Sequence, residues 1–184
     1  MLVLMVGLPG TGKTTLARAL ATRTSGRVLS KDEIRHAIFL AEEIEYSSGQ
    51  DDFCLQVMLE TAGYLLSRNS ARAIFLDGRP FSRRYQIDNV LAAAARLRQP
   101  WRILECVCSE QTARRRLEAD GASGAHPAGN RGYPLYLEVK ARFEAIPLPK
   151  TLVDTDLALE ICVEQALETI NHEGYKASPG KPLG

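Results

Sequence analysis

Two kinds of hydrophobic spacing alternate along this chain. Short apolar runs, β-branched in places, predict strands at Leu2–Val6, Arg27–Leu29, Ala73–Leu76, Trp101–Val107 and Thr151–Val153. Longer segments whose apolar positions recur with the helical period predict helices. These are Lys13–Thr22, Lys31–Ile44, Asp51–Ser67, Arg83–Leu97, Glu110–Glu118, Leu135–Glu144 and Leu157–Ile170. Strands that alternate with helices imply an α/β domain built on a parallel sheet. One stretch breaks the rhythm: Asp120 to Gly132 is small, polar and glycine-rich, with the length usually kept for a lid or for disorder. The end of the chain, from His172 to Gly184, has little to bury and is expected to fray. The organisation that follows is one domain over residues 1–171, with a lid at about 114–132, and a flexible tail over 172–184.

The first strand runs directly into Gly7-Leu8-Pro9-Gly10-Thr11-Gly12-Lys13-Thr14. This is the G-x-x-x-x-G-K-[ST] phosphate-binding loop, set between a strand and a helix as it must be. Its backbone N–H groups converge on phosphate oxygens, and the helix that follows presents its positive dipole end. Gly10, Thr11, Gly12, Lys13, Thr14 and Thr15 are therefore the expected nucleotide contacts. Lys13 reaches the β- and γ-phosphates, and the Thr14 hydroxyl ligates Mg²⁺.

The second strand leads into Ser30-Lys31-Asp32-Glu33-Ile34-Arg35. In a parallel α/β sheet the carboxyl ends of strands face the ligand crevice. Asp32 there can take the proton of a hydroxyl that attacks phosphorus. Arg35, one turn on, can bind an anionic acceptor or the charge on the transferring group. The plainer alternative is a helix-capping Asp32 and a solvated Arg35. The third strand ends in Asp77, either a Walker B carboxylate beside Mg²⁺, an acceptor contact, or a turn residue. Arg79, Arg83 and Arg84 follow it, and can hold an anion or simply face water. Tyr46 can stack on a ligand ring or sit half-buried at the surface.

The phosphate-binding loop followed by Ser30-x-Asp32-x-x-Arg35 resembles the P-loop kinases. That group includes bacteriophage-type polynucleotide 5′-kinases, zeta-toxin-like kinases and chloramphenicol-phosphotransferase-like kinases, and AAA-type predicted kinases fall beside them. The resemblance implies a three-layer P-loop NTPase fold with a five-stranded parallel sheet and a small lid. It implies ATP and Mg²⁺ as cofactors, with Thr14 and Asp77 at the metal and Lys13, Asp32 and Arg35 as catalytic residues. Asp32 takes the role of general base, and Arg35 that of holding the acceptor's phosphate. It also implies lid arginines on the helix after the fourth strand. Among Arg114, Arg115 and Arg116, at most one or two can face one ligand, because successive helical residues point about 100° apart. Arg115 and Arg116 are the expected pair, with Arg131 as the alternative. The implied activity is phosphoryl transfer from ATP to a hydroxyl, on a polynucleotide 5′ end or on a small molecule. An NTP-hydrolysing module that drives a partner is the competing class.

Composition limits the choice of partner only a little. The 184 residues are 45% hydrophobic and 24% charged, with a net charge of +1, so the total charge calls for neither nucleic acid nor a membrane surface. No segment approaches the ~20 apolar residues of a membrane span, and the opening apolar run lacks the basic flank of a signal peptide. A cytoplasmic protein without a membrane partner is expected. The four cysteines at 54, 106, 108 and 162 are expected as buried thiols in a reducing compartment.

Overall fold

A computed structural model describes residues 1–123 and 132–171. Five strands, β1 (Leu2–Val6), β2 (Arg27–Ser30), β3 (Ile74–Asp77), β4 (Trp101–Val107) and β5 (Thr151–Asp154), form one parallel sheet in the order β2-β3-β1-β4-β5. The helices are α1 (Lys13–Thr24), α2 (Lys31–Ile38), α3 (Ser48–Arg68), α4 (Arg84–Arg96), α5 (Glu110–Ser123), α6 (Tyr133–Ala141) and α7 (Leu159–Asn171).

The central strand β1 explains the three layers. All five of its side chains are fully buried, and successive ones point to opposite faces. Leu2, Leu4 and Val6 pack with Leu55, Met58 and Leu59 of α3 and Ile87 and Val90 of α4. Val3 and Met5 pack on the other face with Leu16 and Leu20 of α1 and Val163 and Ala166 of α7. A strand covered on both sides must be apolar throughout, and this one is. Cys54, Cys106 and Cys162 are buried and Cys108 partly so, all as free thiols. Burial pushes the Cys106 thiol up to about 12.

Two predicted elements differ in a way that shapes the site. The helix expected over Lys31–Ile44 ends at Ile38, and Phe39 is already extended at φ −102° and ψ 142°. A short 3₁₀ turn follows at Ala41–Glu43, where the Glu43 carboxylate accepts from the Leu40 N–H at 2.8 Å. Phe39 leaves the helix to pack edge-on against Phe53, with ring centroids 5.8 Å apart, and this turn returns the chain so that Tyr46 lies over Arg35. The helix expected over Glu110–Glu118 instead runs on to Ser123. Of the expected lid, residues 124–131 lie outside the described residues, as does the expected tail.

Strand register brings the functional ends together. Ser30 of β2 pairs with Asp77 of β3, and β1 lies on the other side of β3. The loop after β1, the start of α2 and the end of β3 therefore share the carboxyl edge of the sheet, where open α/β sheets place ligands.

Candidate functional site

The phosphate-binding loop is held from within and from below. Lys13 is buried and its ammonium donates to the carbonyls of Gly7 at 2.8 Å and Leu8 at 2.7 Å. Gly7 lies at φ 136°, and a Cβ there would fall 2.3 Å from the Cys106 carbonyl oxygen. Gly10, at φ 80°, passes close to α5, where a Cβ would meet the Ala113 carbonyl oxygen at 2.8 Å. Both positions demand glycine. The Thr155 hydroxyl, just past β5, donates to the Thr11 carbonyl at 3.1 Å and braces the loop from the far side.

Below the loop, the Thr14 hydroxyl donates to Asp77 Oδ2 at 2.7 Å. Asp77 is 1% exposed, and its Oδ1 is buried without a hydrogen-bond partner. A buried carboxylate oxygen without a partner is costly, and a divalent cation would satisfy it. Hydroxyl and carboxylate are both hard oxygen donors of the kind Mg²⁺ takes, so these two residues fit the ion. Among the described residues no group of three or more His, Cys, Asp or Glu side chains could hold a metal unaided. Mg²⁺ characteristically takes only one or two protein ligands and completes its shell with phosphate and water.

Asp32 and Arg35 stand on the first turns of α2, beside this pair. Ser30 caps the helix, its hydroxyl accepting from the Glu33 N–H. Asp32 is 6% exposed and Arg35 is fully buried. Arg35 Nη1 donates to Asp32 Oδ1 at 3.2 Å, and Nη2 pairs with Asp51 Oδ1 at the start of α3. The Lys31 ammonium joins the same two carboxylate oxygens, at 3.3 Å to Asp32 and 2.8 Å to Asp51. The Tyr46 ring covers the guanidinium, its centroid 4.9 Å from Cζ, and Tyr46 itself is held at φ 52°. A second pair lies alongside: Arg79, 1% exposed, meets the partly exposed Asp52 at 2.6 Å and the Tyr85 hydroxyl at 3.3 Å. Arg83 and Arg84 face outward, paired with Glu144 and Asp88. Arg35, expected to hold the acceptor's phosphate, directs one contact from each Nη to a carboxylate and keeps its Nε buried without a hydrogen-bond partner.

These parts line one cavity of about 590 Å³. Its walls include Gly10, Gly12, Lys13, Thr14, Thr15 and Asp77, together with Lys31, Asp32, Tyr46 and Asp51. Of the expected lid arginines, Arg116 reaches it: Nη1 donates to Thr155 Oγ1 at 3.0 Å and Nη2 to the Thr155 carbonyl at 2.7 Å. Arg115 points to solvent from α5 and is not part of the cavity wall. Arg114 is turned toward Glu118 and the Tyr133 ring. The alternative, Arg131, lies outside the described residues. Three contributors carried no individual role in the sequence: Asp51, Lys31 and Thr155. Asp51 opens α3 and Thr155 follows a strand, and neither position carries a spacing signal. Lys31 stood inside the quoted motif but had no role assigned to it.

Residues 2–130 match a family described as an AAA domain. The chain belongs to this family of P-loop proteins. No curated protein sequence matches it. Among solved structures, the fold is similar to that of a candidate kinase from Chloroflexus aurantiacus, at 23% identity and a TM-score of 0.70, over 91% of this chain and 96% of that one. It is similar to the APS kinase of Mycobacterium tuberculosis bound to AMPPNP and APS, at 15% identity and a TM-score of 0.69, over 93% and 97%. It is also similar to Chaetomium thermophilum Kti12 bound to ADP-AlF3, at 18% identity and a TM-score of 0.66, over 92% and 97%. The P-loop NTPase fold is thereby established. Among the described residues no helix is long and apolar enough to cross a membrane.

Proposed function

We propose that this protein is an ATP-dependent kinase that moves the γ-phosphoryl group of ATP to an acceptor hydroxyl. One observation supports the reading: Lys13, Thr14, Asp77 and Asp32 line a single cavity, with the phosphate-binding loop beside a buried carboxylate. The triphosphate lies on the N–H groups of Gly10 to Thr15, with Lys13 in reach of its outer phosphates. Thr14 and Asp77 hold Mg²⁺, which when bound neutralises phosphate charge. Asp32, fixed through one oxygen by Arg35 and Lys31, receives the proton of the acceptor hydroxyl. The bond from the acceptor oxygen to phosphorus forms as the β–γ bridging bond breaks, and ADP leaves. Arg116 takes the lid-arginine role, close to Gly10 and Thr155 on the nucleotide side. The protein works in a soluble, cytoplasmic setting.

The test is where labelled phosphate goes. With γ-labelled ATP, Mg²⁺ and a mixed pool of hydroxyl compounds and 5′-hydroxyl oligonucleotides, a kinase places label on an acceptor. Label released only as inorganic phosphate contradicts the proposal and indicates a hydrolase that drives a partner.

A further inference from the structure

The carboxylate end of the cavity is electrically closed. Lys31 and Arg35 face Asp32 and Asp51, two cations against two anions, all in contact. Arg79 and Asp52 form a separate pair beside them. An anionic acceptor that drew Lys31 or Arg35 out of these pairs would leave Asp32 or Asp51 less well compensated, which is unfavourable. Arg35 is also closed to a ligand by position, being fully buried and roofed by Tyr46.

The same network leaves something for a different ligand. Both ion pairs to Asp32 fall on Oδ1, and both to Asp51 fall on Oδ1 as well. Both carboxylates line the cavity, and the ion pairs of each fall on one oxygen of its two. An ionised carboxylate only accepts hydrogen bonds, so the groups that satisfy these oxygens are donors. Tyr46 adds a ring to the same wall, and an aromatic face covers the C–H side of a compact ligand.

Building on the kinase reading above, we infer that the acceptor is a small, uncharged polyhydroxy compound. One hydroxyl meets Asp32 and reacts, while a neighbouring hydroxyl meets Asp51, which sets specificity. Arg35 is a positioning residue that holds the two carboxylates at their spacing. A polynucleotide end, which brings phosphates beside its reacting hydroxyl, is disfavoured by this wall.

Two measurements test this separately from the kinase reading. The first uses protein loaded with a non-hydrolysable ATP analogue and Mg²⁺, so that the phosphate-binding loop is filled, and titrates inorganic phosphate, followed by amide NMR shifts at Asp32 and Tyr46. The wild-type protein is expected to show no saturable phosphate binding there. Asp51→Asn releases Lys31 and Arg35 and is expected to bind phosphate at least about tenfold more tightly, the scale of one charge-assisted hydrogen bond. Asp51→Glu restores the charge and is expected to behave as wild type. Saturable phosphate binding by the wild-type protein at these amides overturns the inference, and this holds even if Asp51→Asn fails to fold. The second measurement compares kcat/KM for matched acceptors, a nucleoside with its 3′-phosphate and a sugar with its phosphate ester. The uncharged member is expected to be favoured at least about tenfold. Equal or better use of the phosphorylated member overturns the inference and leaves the kinase intact. Transfer to neither overturns the kinase reading, while the phosphate titration still decides the character of the wall.

Discussion

At the scale of single residues, the proposed reaction gives the chemistry to Asp32, whose orientation its neighbours set. A buried carboxylate held by two cations through one oxygen has little freedom left, which fixes its orientation toward an acceptor hydroxyl. Asp32→Asn keeps shape and polarity but cannot take a proton. It is expected to retain nucleotide affinity and to lose roughly 10²-fold or more in transfer rate, measured with γ-labelled ATP. Arg35→Lys keeps one charge but cannot span two carboxylates. It is expected to lower kcat and raise acceptor KM together, with nucleotide KM unchanged, in steady-state assays that vary each substrate in turn. A change confined to nucleotide KM would contradict its positioning role. The motif around Asp32 was legible in the sequence because it follows a strand at fixed spacing. The partner Asp51 was not, because it reaches Arg35 only after the chain turns back through the 3₁₀ segment and starts a new helix.

At the scale of elements, the loop depends on what packs around it. Gly7→Ala brings a Cβ against the Cys106 carbonyl oxygen and forces a side-chain residue to φ 136°. It is expected to cost about 1–3 kcal/mol from the backbone conformation alone, read as a lower midpoint in urea unfolding; an unchanged midpoint would mean the loop relaxes freely. The exits of β4 and β5 are tied by Asp156, whose carboxylate accepts from the Ser109 N–H at 2.7 Å. Hydrogen bonds from Thr112 and the Ser109 backbone hold its carboxyl below the usual carboxylate range. A folded pKa below the unfolded one means stability that is present above the ordinary Asp value and lost as pH falls through the depressed one. The Tm gap between wild type and Asp156→Asn is therefore expected at neutral pH and to close in acid. A gap that widens in acid would contradict the assignment. Helix existence was legible from periodicity throughout, whereas helix ends were not. The apolar spacing of Ile34, Ala37, Ile38, Ala41 and Ile44 runs on through the position where α2 stops. The break follows from Phe39 packing on Phe53, a tertiary contact to which local spacing is blind.

At the scale of the whole molecule, a five-stranded parallel sheet places three separate sequence segments at one edge. The layered architecture was legible, because β1 is apolar at every position and so must be covered on both faces. The order β2-β3-β1-β4-β5 was not, since no periodicity says which strand lies beside which. That order puts Asp77 between the phosphate loop and Asp32, and with it the division of the cavity into two ends. Because the loop is part of the core and not an appendage, nucleotide binding is coupled to global stability. ATP with Mg²⁺ at about a hundred times its Kd is expected to stabilise the fold by ~2.7 kcal/mol, seen as a rise in Tm. Lys13→Ala is expected to lose most of that rise; a full rise in the variant would contradict the role given to Lys13.

Asp32 is proposed to deliver an acceptor hydroxyl to ATP held on the loop. The most direct measurement follows γ-labelled phosphate from ATP with Mg²⁺ into a panel of uncharged polyhydroxy compounds and 5′-hydroxyl oligonucleotides, for wild type and Asp32→Asn in parallel. Label is expected on a small acceptor with the wild-type protein, with a loss of roughly 10²-fold or more in the variant. Label that appears only as inorganic phosphate, or transfer that survives Asp32→Asn unchanged, would contradict that role.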